Sequence, residues 1–366
     1  MESAVGGPAQ GPCVQPDPRP LVVLAGPTAS GKTALAIALA ERAPVPLEAI
    51  GADARQIYRG LPAGTAQPAA AERRALPHHM IGVADPAETF DAARYAREAR
   101  ACAGGVYARG AVPLVVGGSG LYLRAFVEGL FEGPGARPEL RRRLEEEAGR
   151  EGLPALHKRL SGCDPEAAAK IHPNDRRRII RALEVFEAAG RPISSLRAGA
   201  PAGGFERPLW LGVDWPPEAH ARRIEERVRA MLAGGMVEEA ARLAREGLEH
   251  APSFEGLGYA EALELGRGGA DIEETVELVC RLHRGYAKRL ELGRGGADIE
   301  ETVELVCRLH RGYAKRQRTW FRRVPGVRWL HPERGMEAAA AEAARAVEAY
   351  LAGFGPGALA RKGAAG

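Results

Sequence analysis

Aromatic residues are scarce in this chain, at 5% of 366, and cysteine occurs five times. Cys13, Cys102, Cys163, Cys280 and Cys307 are odd in number and form no CxxC pair. That argues against a disulfide framework and a zinc site, and points to a reducing cytoplasm. No secretory apolar segment is seen, and no apolar run reaches the roughly 18–20 residues that cross a bilayer, so no membrane role is expected. An excess of one charge is missing too: 51 Lys+Arg face 47 Asp+Glu, a net of +4. Net charge by itself therefore says little about nucleic acid. What the chain has is 45% hydrophobic content, enough for a full core in one large domain with an insertion, or in two domains.

Residues 1–20 lack apolar periodicity and are expected to form a disordered extension. The apolar runs Leu21–Ala25 and Val112–Val116 have strand length, and each feeds a glycine-rich loop. They read as buried parallel strands with ligand-binding loops at their carboxyl ends. The first part of the core is placed at 21–137. Between 138 and 190 the pattern turns helical with charged faces, notably 139–150 and 176–189, and reads as an insertion facing RNA across a cleft. Residues 191–352 complete the core, with helices over 217–246 and 337–351, and 353–366 form a loose tail.

Residues 263–289 recur unchanged as 290–316, a direct duplication of 27 residues. A single perfect pair is not a solenoid, whose repeats diverge and come in threes or more. In each copy apolar residues recur at helical spacing, Ile272, Val276 and Val279 or Ile299, Val303 and Val306, so either could fill one slot in the core. The second copy runs directly into Gln317 and Trp320 and is expected to dock; the first is expected to be extruded.

The segment Gly26-Pro27-Thr28-Ala29-Ser30-Gly31-Lys32-Thr33 matches the phosphate-loop pattern GxxxxGK[ST]. Its glycines let backbone N–H groups curl around phosphate oxygens, Lys32 neutralises charge, Thr33 can ligate Mg²⁺, and the following helix adds its dipole. The loop binds a polyphosphate or diphosphate, and alone it leaves a small-molecule kinase or NTPase open.

Further motifs come in order: Asp53, Gln56 and Tyr58; Gly64 to Pro68; His78 and His79; Val116 to Tyr122; His172 to Asp175; Gly258-Tyr259; and Lys315-Arg316-Gln317 with Trp320. This ordered set, spanning about 21–332, resembles the bacterial tRNA dimethylallyltransferases, also called tRNA isopentenyltransferases. The resemblance implies an α/β fold, a P-loop NTPase-like parallel sheet core with a helical insertion. It also implies transfer of a dimethylallyl group from dimethylallyl diphosphate to N6 of the adenosine next to the anticodon in tRNA, releasing diphosphate. Transfer to free adenine nucleotides and an inactive RNA-binding relative are the remaining alternatives.

On that reading Asp53 takes the amine proton as general base. Lys32, Thr33 with Mg²⁺, and Arg223 in the stretch Arg-Ile-Glu-Glu-Arg stabilise the leaving diphosphate. Asp53, Ala54, Arg55, Gln56 and Ser119 line the pocket for a base turned out of its stack. Arg141, with Arg177, Arg178, Ile179, Ile180 and Arg181, is expected to meet the tRNA. The protein is expected to act as a cytoplasmic monomer. Adjacent His78 and His79 point apart and suggest no metal site. Trp320 and Phe321 are expected to pack the core. The sequence departs from the family pattern at Ala54, where serine is usual, at Ser119, where threonine is usual, and at Gly82 and Ala260.

Overall fold

The computed structural model describes residues 17–129, 133–135, 137–198, 204–256, 258–266 and 299–354. Several expectations concern residues outside these: disorder before residue 17, a loose tail from 355 onward, and most of the extrusion expected for 263–289, with Ile272, Val276 and Val279; its first residues instead end the helix Tyr259–Gly266, where Leu263 is buried in the core. The chain divides into two compact units, one holding 18–127 with 205 onward and the other holding 128–204.

The larger unit is built on six parallel strands: β1 (Val22–Ala25), β2 (Leu47–Ala52), β3 (His78–His79), β4 (Val112–Gly117), β5 (Leu209–Val213) and β6 (Arg328–Leu330), in the order β3-β2-β4-β1-β5-β6. Helices cover both faces, so the central strands are apolar throughout. Alternate residues of β1 serve opposite cores: Val22 and Leu24 pack with the helices Lys32–Ala40 and Met336–Leu351, Val23 and Ala25 with Ala92–Ala108 and Gly120–Val127. β1 lies between β4 and β5 in register Val22↔Leu114 and Val22↔Leu209. Its carboxyl end is thus a switch point where open α/β sheets hold ligands.

Three readings of this unit need correction. Residues 18–20 are part of the fold, since Tyr107 donates to the Pro20 carbonyl at 2.8 Å and Arg19 lies 4.1 Å from the Tyr107 ring centre. The single helix read over 217–246 is two, Pro217–Met231 and Val237–Arg245, joined by a wide turn in which Gly235 takes φ 99. The closing tail is anchored as far as Phe354, whose ring packs 5.0 Å from that of Tyr350. The second copy of the duplication supplies most of the helix Ile299–Phe321, which packs along Pro217–Met231 and buries Val303, Val306 and Cys307. Phe321 is buried, and Trp320 lies against Trp210 and Phe321. No helix among the described residues is long and apolar enough to cross a membrane.

The smaller unit is helical: Pro138–Glu151, Leu153–Cys163, Pro165–Lys170, Arg176–Ala189 and Ile193–Ala198 around Leu144, Leu156, Leu160 and Leu183. It extends beyond 138–190 because Ile193 joins its core and the Ser194 N–H donates to Asp164 at 2.9 Å. Two aspartates start helices: Asp164 accepts from Ala167 N–H and Asp175 from Arg178 N–H. Gly190, at φ 65, ends the second.

Candidate active site

The phosphate loop leaves β1 and turns through Ala29 at φ 60 and Gly31 at φ 82. Its carbonyls are held from outside. Pro27 O accepts from Lys32 Nζ (2.7 Å), Thr28 O from His220 Nε2 (2.8 Å), Ala29 O from Arg223 Nε (3.0 Å), and Ser30 O from Trp215 Nε1 (3.0 Å). Fixing four successive carbonyls this way shapes the loop at the start of the helix Lys32–Ala40, an end where backbone N–H groups and the helix dipole favour an anion. Gln317 takes the Thr28 N–H at 2.8 Å and donates to Gly118 O at 2.8 Å, tying the loop to the end of β4. A Cβ on Gly118 would lie 2.3 Å from that amide nitrogen, so only glycine fits there.

Lys32 is half-buried as a residue, but its ammonium is withdrawn from solvent. Its pKa is pushed down to about 7, first by burial and then by Arg227, with Asp53 acting in the opposite sense. Burial also lowers the pKa of Arg227, again opposed by Asp53. Two cations and one carboxylate therefore share a poorly solvated space beside the loop. Thr33 comes next, half-buried in the first helical turn. Arg223 lies over Gly31 and stacks 4.4 Å from the Trp215 ring.

Asp53 begins the segment after β2. One of its oxygens accepts the Arg55 N–H at 2.8 Å and the Gln56 N–H at 3.4 Å, a turn that fixes the carboxylate and leaves its second oxygen without a hydrogen bond among the described residues. Ala54 lends only backbone, donating to Ser119 Oγ at 2.9 Å. Ser119 in turn bonds the phenol of Tyr313, whose pKa is pushed up to about 12 by burial and then by the charge of Asp53. The Gln56 amide donates to Thr65 O (3.2 Å) and Ala66 O (2.8 Å), so its own oxygen remains free to accept. Arg55 turns away, donating to Pro252 O at 2.6 Å.

Sequence reasoning missed Arg227. It donates to the same Thr65 carbonyl at 3.2 Å, and its Nε is buried without a hydrogen-bond partner among the described residues. The signal was present, because it falls four residues after Arg223 and hence on a neighbouring part of one helix face. The turn 62–66 that holds both Gln56 and Arg227 is pinned in its own right. Glu239 accepts from Ala63 N–H (2.9 Å), Gly64 N–H (3.1 Å) and the Tyr259 hydroxyl. This gives the Gly258-Tyr259 motif a positioning role.

His78 and His79 are structural. His78 bonds Leu76 O at 2.6 Å, and His79 bonds Glu48 at 2.7 Å beside Arg109.

The helical unit corrects several expectations within itself. Ile179 and Ile180 are buried in its core, so their side chains do not form its surface. Arg141 and Arg181 converge on Glu184, which is 0% exposed, at 2.9 and 2.8 Å, joined by the Arg137 N–H at 2.8 Å. Burial alone would raise the Glu184 pKa, but bonds from Arg181, the Arg137 N–H and Arg141 hold it below the usual range. Arg178 pairs with Asp175 at 3.4 Å, whereas exposed Arg177 has no ion-pair partner among the described residues.

Known proteins resemble this chain in sequence and fold. The sequence profile of the IPP transferase family matches residues 56–291. The tRNA dimethylallyltransferase of Anaeromyxobacter dehalogenans strain 2CP-C is 50% identical over 72% of this chain and 88% of its own. That of Pelotomaculum thermopropionicum is 39% identical over 91% and 98%. The crystal structure of the tRNA isopentenylpyrophosphate transferase from Bacillus halodurans superposes with a TM-score of 0.60 at 31% identity, covering 91% of this chain and 98% of that one. A eukaryotic dimethylallyltransferase acting on tRNA shares the fold, with a TM-score of 0.68 at 24% identity over 88% and 77%. With a matching profile over most of its length and relatives this similar, the chain belongs to the IPP transferase family.

Proposed function

We propose that this protein transfers a dimethylallyl group from dimethylallyl diphosphate to N6 of the adenosine next to the anticodon in tRNA. The observation that carries the proposal is the placing of Asp53, with one carboxylate oxygen uncommitted, beside a phosphate loop backed by the cations Lys32 and Arg227. In the transfer, the bond between the allylic carbon and the diphosphate oxygen breaks as a bond from N6 forms, and the amine proton passes to Asp53. The free oxygen of Gln56 accepts the second N6 hydrogen, and Ser119 with Tyr313 shapes the wall beside the base. Loop N–H groups, Lys32, Arg223 and Arg227 take up the charge on the departing diphosphate.

Mg²⁺ suits a hydroxyl donor beside a diphosphate, and the Thr33 hydroxyl, in the first helical turn, would help to hold it. Bound there, it would add charge neutralisation on the leaving group. Among the cations expected at the RNA, exposed Arg177 and Arg178 remain available to phosphates, while Arg141 and Arg181 support the unit from within. We place the activity in the cytoplasm, in a monomer.

The test is transfer of labelled dimethylallyl to unmodified tRNA carrying adenines beside the anticodon, with ATP hydrolysis followed in parallel. Incorporation into RNA supports the proposal; ATP cleavage without incorporation would move the protein to the kinase and NTPase class.

A further inference from the structure

One face of the helix Ile299–Phe321 serves the active site through Tyr313 and Gln317, with Trp320 on the same side. The opposite face carries Arg311, Lys315, Arg318 and, one residue past the helix end, Arg322, at positions that align along a helix axis over roughly 16 Å. These four cations line a cavity of about 370 Å³ whose other wall is the helix Pro217–Met231, through Pro217, His220, Ala221 and Ile224. Arg318 and Arg322 are shared with one carboxylate, Asp214, at 3.2 and 3.8 Å. Arg311 and Lys315 are exposed and have no ion-pair partner among the described residues. Four cations around one compensating acid make a cavity that favours a compact polyanion.

The cavity also touches the phosphate loop. His220 in its wall donates from Nε2 to Thr28 O, which fixes the tautomer, and its Nδ1 accepts from Arg318 at 2.8 Å. An ion pair between Asp214 and Arg318 and hydrogen bonds from Arg318 to His220 and from His220 to Thr28 thus lead from the cavity to the back of the loop. An anion bound here would meet Arg318 in competition with Asp214 and His220, and so would act on the loop's outer support.

We propose that this cavity is a second anion site, outside the phosphate loop, that binds inorganic diphosphate. The choice of anion rests on the transfer reading, since diphosphate is the product released next to it; the existence of the site does not. The direct contact with the loop, through Arg318 and His220, favours a small anion released at that loop over a run of RNA backbone.

Calorimetric titration of the full chain with inorganic diphosphate, with and without Mg²⁺, tests this. Two sites of different affinity are expected. The double variant Arg311→Ala/Lys315→Ala weakens the looser site by about tenfold or more and keeps the tighter one. Lys32→Ala does the reverse. A single site that vanishes with Lys32→Ala overturns the inference, as does a looser site indifferent to the double variant. Diphosphate binding left intact while RNA affinity drops in the double variant also overturns it, and makes the groove an RNA track. Two diphosphate sites behaving as expected in a protein that transfers no prenyl group would support the groove and count against the transfer reading.

Discussion

The cations of the phosphate-loop site and those of the helical unit look alike in sequence and differ in what surrounds them. In the helical unit Arg141 and Arg181 converge on buried Glu184, Arg176 on Glu145, and Arg143 with Arg159 on Glu187. In the active site Lys32 and Arg227 have no carboxylate in ion-pair contact among the described residues, only the field of Asp53 and bonds to carbonyls. A cation whose partner is built in holds a fold together. One withdrawn from water without a partner is poised to receive an anion, because the anion repays its lost solvation.

Breaking the structural side of that contrast should have the largest effect. Glu184→Ala leaves two guanidiniums and the Arg137 N–H without their acceptor. Both arginines can turn partly toward water, so the expected loss is about 2–4 kcal/mol of stability in the helical unit, read as hydrogen-exchange protection of 138–189. On the active-site side, Lys32→Ala should lower transfer by about 10²–10³-fold with little change in melting temperature. A fall in stability instead would make Lys32 a structural cation and erase the contrast.

Proton linkage sharpens it further. Lys32, depressed to about 7 in the free protein, regains its ordinary basicity when a diphosphate sits beside it, so the complex binds more protons than the free protein above that pH. Affinity for dimethylallyl diphosphate should therefore fall as pH rises from about 7, by up to about tenfold per unit after correction for the ligand's own ionisation. In Lys32→Arg the slope should flatten. The smallest effect belongs to Arg178→Ala, exposed and paired with Asp175: under about 1 kcal/mol in stability, and a slightly shallower salt dependence of RNA binding.

How much of this was legible depends on the range of the interactions. The phosphate loop, β1 and β4, and the helices Pro138–Glu151 and Arg176–Ala189 are encoded by local apolar runs, glycines and helical periodicity. β3, only His78–His79, and β6, only Arg328–Leu330, are too short to carry a pattern and exist because β2 and β5 offer them pairing edges. Asp53 and Lys32 could be named from motif spacing. The Glu239 clamp under the turn 62–66 and the Gln317 clamp on the loop join residues 175 and 289 positions apart, a distance at which no periodicity operates. The cations of Asn174–Arg181 misled for the same reason: the acids that hold Arg176 and Arg181 are Glu145 and Glu184, outside that stretch.

The second copy of the duplication shows the same dependence on distant partners. It ends on Gln317, which reaches the loop, and on Trp320, which packs with Trp210. The equivalent positions after the first copy are Leu290 and Gly293. Two segments identical in sequence are thus distinguished by the residues at their carboxyl-terminal junctions.

Asp53 is proposed to remove the amine proton beside a diphosphate held by the loop. Single-turnover transfer from labelled dimethylallyl diphosphate to unmodified tRNA, comparing the unaltered chain with Asp53→Ala, tests it most directly. A loss of about 10²–10⁴-fold in rate with diphosphate binding retained is expected. A variant that transfers at an undiminished rate, or one that loses diphosphate binding instead, would contradict it.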